Sequence, residues 1–197
     1  FTNVKSDGGD IRVTKGDETT EVPREIVAIN TGSSSGEIHF KASGTLSSSA
    51  DTEFYIYYGN ASASEYATSA TYGAENVWDS NYQLVAHMQE DPSGSAPQMI
   101  DSTSNSNDGT SSGSMTSGDS VSSVLSNGID FDGSDDDIDF TDISSGSITA
   151  FTVSAWVNAI NVRGNWRQVY LVLINLLQPY HKMVLLIVVK ERDGHLV

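Results

Sequence analysis

Between Gly128 and Asn158 the chain reads Gly-Ile-Asp-Phe-Asp-Gly-Ser-Asp-Asp-Asp-Ile-Asp-Phe, then a polar spacer, then Phe-Thr-Val-Ser-Ala-Trp-Val-Asn. A turn-rich acidic segment is thereby joined to a strict period-two segment, the pattern of a β-sandwich whose loops carry oxygen ligands. Phe151, Val153, Ala155 and Val157 fall on one side of an extended chain, and Thr152, Ser154, Trp156 and Asn158 on the other. A strand buried on one face requires this alternation, so a strand is predicted over Phe151 to Asn158.

The amino-terminal third repeats the rhythm on a smaller scale. Strand candidates at Asp10 to Thr14, Glu21 to Ile29, Gly36 to Leu46 and Thr52 to Tyr58 are separated by Gly, Ser and Asp clusters, which reads as all-β. Phe54, Ile56 and Tyr58 alternate with Tyr55 and Tyr57, and Gly59-Asn60 supplies residues tolerant of positive φ that end a strand. Ala61 to Glu75 is rich in Ala, Ser and Thr and reads as a connecting segment. The expected domains are therefore 1–72, a partial small β domain, and 73–197, a sandwich with a long polar loop region between Asp91 and Asn127.

With 26 acidic against 10 basic residues the formal charge is −16, which repels nucleic acid and anionic membrane surfaces and argues against both as partners. The absence of cysteine rules out disulfides and thiolate metal sites. Phe1-Thr2-Asn3 shows no basic and apolar leader pattern, so a secretion signal is expected to have been removed or to lie outside this sequence.

The last 35 residues differ from the rest. Residues 1–162 hold 5 Lys and Arg against 24 Asp and Glu, whereas residues 163–197 hold 5 against 2, and Ser and Thr vanish after Ser154. Val169 to Leu177 and Met183 to Val189 are apolar runs without alternation. Three readings stand side by side: buried strands of a sandwich centre, a membrane or sorting segment, and a shifted reading frame. Against membrane insertion, Gln178, Pro179, His181 and Lys182 interrupt the 21-residue stretch, and a Lys at the centre of a bilayer costs about 2.5–3.5 kcal/mol.

Several motifs carry a resemblance. Phe131-Asp132-Gly133, followed by Phe151-Thr-Val-Ser-Ala-Trp-Val157, is similar to laminin-G-like, concanavalin-A-like jelly-roll modules. Asp101-Ser-Thr-Ser-Asn105-Ser-Asn107-Asp108-Gly109-Thr110 resembles a second segment of that family, and Val77-Trp78 with Leu84-Val85-Ala86-His87-Met88 resembles its first strand, so the likeness spans about residues 76–162. Gly9 to Thr14 and Phe54-Tyr55-Ile56-Tyr57-Tyr58-Gly59-Asn60 resemble the latter part of an extracellular prokaryotic family, domain of unknown function 2341. The resemblances imply an antiparallel β-sandwich of the jelly-roll type, a secreted or cell-surface location, and non-catalytic binding of a glycan or a surface protein. A structural subunit of a surface filament or layer, with self-association, is the alternative.

Ca2+ is the cofactor these loops suit, because a hard cation takes six to eight oxygens from carboxylates, Asn amides and backbone carbonyls. Candidate ligands are Asp101, Asn107, Asp132 and Asp135. An EF-hand is excluded, since Asp135 stands where that loop requires its glycine. Asp130, Asp132, Asp135, Asp136, Asp137 and Asp139 lie within ten residues, and their mutual repulsion is relieved by a bound cation or by high salt. Carboxylates in such turns also serve simply to bond their own backbone.

Catalytic patterns are weak. The concanavalin-A-like fold also hosts glycoside hydrolases that carry a Glu-x-Asp-x-x-Glu strand motif, and this spacing does not occur here. Asp137 and Asp139 would share one strand face, but neighbouring aspartates make selective protonation of either difficult. His39, His87, His181 and His195 lack metal-site spacing. The chain is therefore expected not to be an enzyme. Among Trp78, Trp156 and Trp166, Trp156 is the candidate for stacking on a sugar ring, and Asn60-Ala61-Ser62 fits an N-glycosylation acceptor.

Overall fold

The structure is a computed structural model that describes residues 1–42, 44–123, 126–140, 152–158, 167–175 and 183–191, the last two ranges as backbone. Among the described residues the regular structure is almost all strand, with two short 3-10 turns, so the all-β expectation holds at the level of class. Two compact units divide the chain: 1–85 with 102–104, and 86–101 with 105–197. Among the described residues no helix is long and apolar enough to cross a membrane.

In the first unit, β1 (Arg12–Lys15) pairs antiparallel with β4 (Phe54–Tyr57), Arg12 opposite Tyr57 and Lys15 opposite Phe54. β2 (Arg24–Asn30) and β3 (Ser35–Phe40) form a hairpin with a register shift between Ile26 and Ala28. All four strands overlap the strand candidates read from the sequence. Their core is small: Ile11, Val13, Val22 and Val77 are buried. Aromatic contacts extend it, with Phe40 and Phe54 at 4.9 Å between ring centroids and Trp78 at 5.5 Å from His39 and 5.2 Å from Tyr82.

So thin an apolar core is supplemented by polar ties. Arg24 is fully buried; its Nε donates to the Ile11 carbonyl at 2.5 Å and its Nη1 to Glu65 at 2.6 Å. Arg12 lies over the Tyr66 ring at 4.2 Å and donates to the Ser64 carbonyl, while the Tyr66 hydroxyl donates to Glu21. Burial, reinforced by that bond to Glu21, pushes the Tyr66 phenol above its ordinary pKa. These ties strap the Ala-, Ser- and Thr-rich stretch after Asn60 onto the strands, and Arg24 N–H donates to the Tyr72 carbonyl. Trp78 belongs to the same unit, where its indole N–H donates to Glu25. Compactness thus divides the chain after Val85, with residues 73–85 packed in the first unit.

The second unit holds β5 (Gly109–Ser112), β6 (Ser120–Ser122), β7 (Asn127–Ile129), β8 (Asp137–Phe140), β9 (Arg167–Asn175) and β10 (Met183–Glu191). Four of these form a sheet in the order β5-β8-β10-β9, and β6 pairs with β7 in a separate hairpin. β8 alternates as its sequence demands, Ile138 and Phe140 inward, and with Met99 and Met115 they are among the buried apolar residues in the described part of this unit. Gly109 faces them across the ladder. A Cβ there would stand 2.5 Å from the Phe140 ring, so only glycine fits.

Two expected strands are absent. Residues 152–158 form no strand and are exposed throughout. Period-two alternation stabilises a strand only when a neighbouring ladder takes up its backbone groups, and no described strand pairs with this segment. Val77-Trp78 closes a 3-10 turn, and from Leu84 to Met88 only Ala86 makes a bridge, to Asp101. The spacer after Phe140, Phe151, Trp166 and the segment Gln178 to Lys182 lie outside the described residues. β9 and β10 overlap the two apolar runs of the carboxyl-terminal region and pair antiparallel, Met183 opposite Asn175.

Candidate functional site

The acidic loop joins β7 to β8. It is anchored at its start by the Asp130 N–H donating to the Asp119 carbonyl at 2.8 Å. Asp119 is itself fixed by a capping box, its carboxylate accepting from the Thr116 N–H at 2.6 Å while the Thr116 hydroxyl accepts from Gly118. Inside the loop, Asp132 accepts from the Ser134 N–H at 2.7 Å, and Gly133 turns the chain at φ +82°. Asp136 closes the turn by accepting from the Asp132 N–H at 2.8 Å.

This folding brings the carboxylate oxygens of Asp132, Asp135 and Asp136 within 4.8 Å of one another. Asp132 and Asp135 are exposed, and Asp136 is buried beneath them. Burial raises the Asp136 pKa above its ordinary value; the amide bond from Asp132 opposes this, and the negative charges of Asp132, Asp119 and Asp135 add to it. The loop backbone is pinned from below by the end of β5. Gly113 sits at φ +88°, and a Cβ on it would fall 2.3 Å from the Asp135 carbonyl oxygen, so any side chain there would displace the loop.

Chemically the cluster is an all-oxygen, all-anionic donor set. It suits a hard divalent cation and offers nothing to a soft one, and the remaining coordination would come from carbonyls or water. Of the four ligands expected from the sequence, the structure unites Asp132 and Asp135. Asp101 and Asn107 stand in another turn: Asp101 accepts from the Asn107 N–H at 2.9 Å, and its own N–H donates to Asp108 at 2.8 Å. Both are buried, and neither belongs to the three-carboxylate cluster. Their role there is to close the loop between the bridged residues Met99 and Gly109.

Asp136 was not among the expected ligands, yet a signal for it exists. It shares the parity of Ile138 and Phe140, so continuing the period of β8 one step back turns it inward. Asp137 and Asp139 occupy the opposite face of β8, where the Ser112 hydroxyl donates to Asp137. Trp156 stands 85% exposed in an extended segment. Comparison with family models, with curated proteins and with solved structures returned no match for this chain.

Proposed function

We propose that the chain is a non-catalytic binding module of a secreted or cell-surface multidomain protein, engaging a glycan or a surface protein, with a structural Ca2+ in the loop between Asp132 and Asp136. The observation carrying the proposal is the convergence of three carboxylates, one of them buried, in a single loop. Like charges held this close disfavour one another, and a hard cation is the ligand class that removes the conflict. In this reading the second unit is part of a laminin-G-like jelly roll, as its motifs suggest. The exposed Trp156 then offers an aromatic face to a sugar ring. Asp132, Asp135 and Asp136 would hold the ion, whose contribution is to fix the loop rather than to drive a reaction.

The test is thermal unfolding of the chain with Ca2+ and with chelator at matched ionic strength. A ligand at 100 times its Kd stabilises by roughly 2.7 kcal/mol, so a rise in Tm specific to Ca2+ is expected. Glycan screening with wild type and Trp156→Ala would follow. An equal response to Mg2+ and to added NaCl would reduce the acidic loop to a solvated surface and remove the support for the proposal.

A further inference from the structure

The largest exposed apolar stretch in the first unit runs along β4 and Tyr58 just after it. Tyr55, Ile56, Tyr57 and Tyr58 are all exposed, Ile56 at 53% and Tyr58 at 55%. Successive residues of a strand point to opposite faces, so apolar side chains are uncovered on both faces at once. Among the described residues β4 pairs with β1 alone, and its other edge has no strand beside it. A bare, apolar, unpaired edge of this kind is a template for another strand.

We infer that β4 is a docking edge for an extended basic segment of a protein partner, which adds to the β1–β4 ribbon as a third strand. An added strand brings side chains to both faces and so covers the Tyr55 and Tyr57 row together with the Ile56 and Tyr58 row, whereas a sugar stacked on the tyrosines covers one. Charge selects the partner's sign. Asp51 and Glu53 stand exposed just before β4, and Glu18 lies 3.4 Å from the Tyr57 hydroxyl that donates to it. Lys15 is the one cation in the groove formed with Asp51, Thr52, Glu53 and Phe54. A second copy of a chain with formal charge −16 would meet repulsion where a Lys- or Arg-bearing strand meets attraction. This surface belongs to the first unit and does not depend on the Ca2+ proposal for the second.

The experiment uses a short synthetic peptide alternating lysine with valine, added to the full chain while backbone amide exchange is followed. Protection confined to Phe54–Tyr58 and its neighbours is expected. It should disappear for a peptide of the same composition interrupted by prolines, which cannot join a ladder. Asp51→Lys with Glu53→Lys, both at exposed positions, should weaken binding by roughly threefold to tenfold, and added salt should do the same. Protection spread evenly over the chain, or retained with the proline peptide, would show general attraction to an acidic surface and overturn the inference. So would slowed exchange at β4 without peptide that grows with protein concentration, which assigns the edge to a second copy, or β4 protection by a neutral oligosaccharide in place of the peptide.

Discussion

Asp10 in the first unit and Asp136 in the second are buried to nearly the same degree, at 2% and 3% exposure, yet their surroundings push them in opposite directions. Burial raises the pKa of Asp10, but N–H donors from Gly59 at 2.6 Å and Lys5 at 3.0 Å, with the nearby Lys5 charge, more than offset it and hold the carboxyl below its ordinary value. Asp136 has one amide donor from the chain and three carboxylates around it, and its pKa rises. One buried charge is neutralised by the fold itself; the other leaves a deficit of positive charge. Burial alone therefore does not mark a ligand site. A buried carboxylate whose neighbours repeat its own sign is the place where a cation would relieve the most repulsion.

The comparison is broken most severely by removing the first unit's internal cation. Arg24→Ala deletes a fully buried guanidinium that bonds the Ile11 carbonyl and Glu65. Loss of the pair, the backbone bond and the packed volume together should cost about 3 kcal/mol in urea unfolding. A loss below about 1 kcal/mol, within the range of an exposed ion pair, would mean that the unit does not rely on matched internal charge.

Asp10→Ala comes next. It strands the Lys5 and Gly59 N–H groups, and with hydrogen bonds to charged groups worth about 1.5–3 kcal/mol, a loss of about 2 kcal/mol at neutral pH is expected. Because the folded pKa is depressed, this contribution is present above the ordinary carboxylate value and fades as pH falls through the folded one. The difference between wild type and variant should accordingly shrink in acid. A difference that stayed constant with pH would locate the effect in packing instead.

The first unit was the more legible because its short strand candidates are punctuated by Gly, Ser and Asp clusters, and each of β1 to β4 overlaps one of them. The straps were not legible. Nothing local distinguishes Arg24 from a surface arginine, since Ile11 and Glu65 are 13 and 41 residues distant in sequence. In the second unit, local turn chemistry pointed to Asp132, and its nearness to Asp135 follows from the two residues, Gly133 and Ser134, that separate them. Asp101 and Asn107 are turn-forming types as well, but the Asp101 carboxylate accepts from the Asn107 N–H within their own turn and is not part of the three-carboxylate cluster, a distinction set by the fold rather than by composition. The segment 152–158 shows the limit of pattern reading: alternation specifies which face a strand would bury and is silent on whether a partner strand exists.

The finest test of the comparison is Asp136→Asn. The Asn carbonyl oxygen can still accept from the Asp132 N–H, so the turn is kept while one negative charge is removed from beside Asp132, Asp119 and Asp135. A raised folded pKa means that the native state binds the proton more tightly than the unfolded chain does. The ionised group thus weakens the fold above its folded pKa, and this penalty disappears as pH falls through that value toward the ordinary one. In chelator at neutral pH the variant should be more stable than wild type, with the gap closing in acid. In Ca2+ the order should reverse, because the variant lacks an anionic ligand that the cation would engage. Destabilisation of Asp136→Asn in both conditions would place Asp136 with Asp10, as a structural carboxylate satisfied by its own turn.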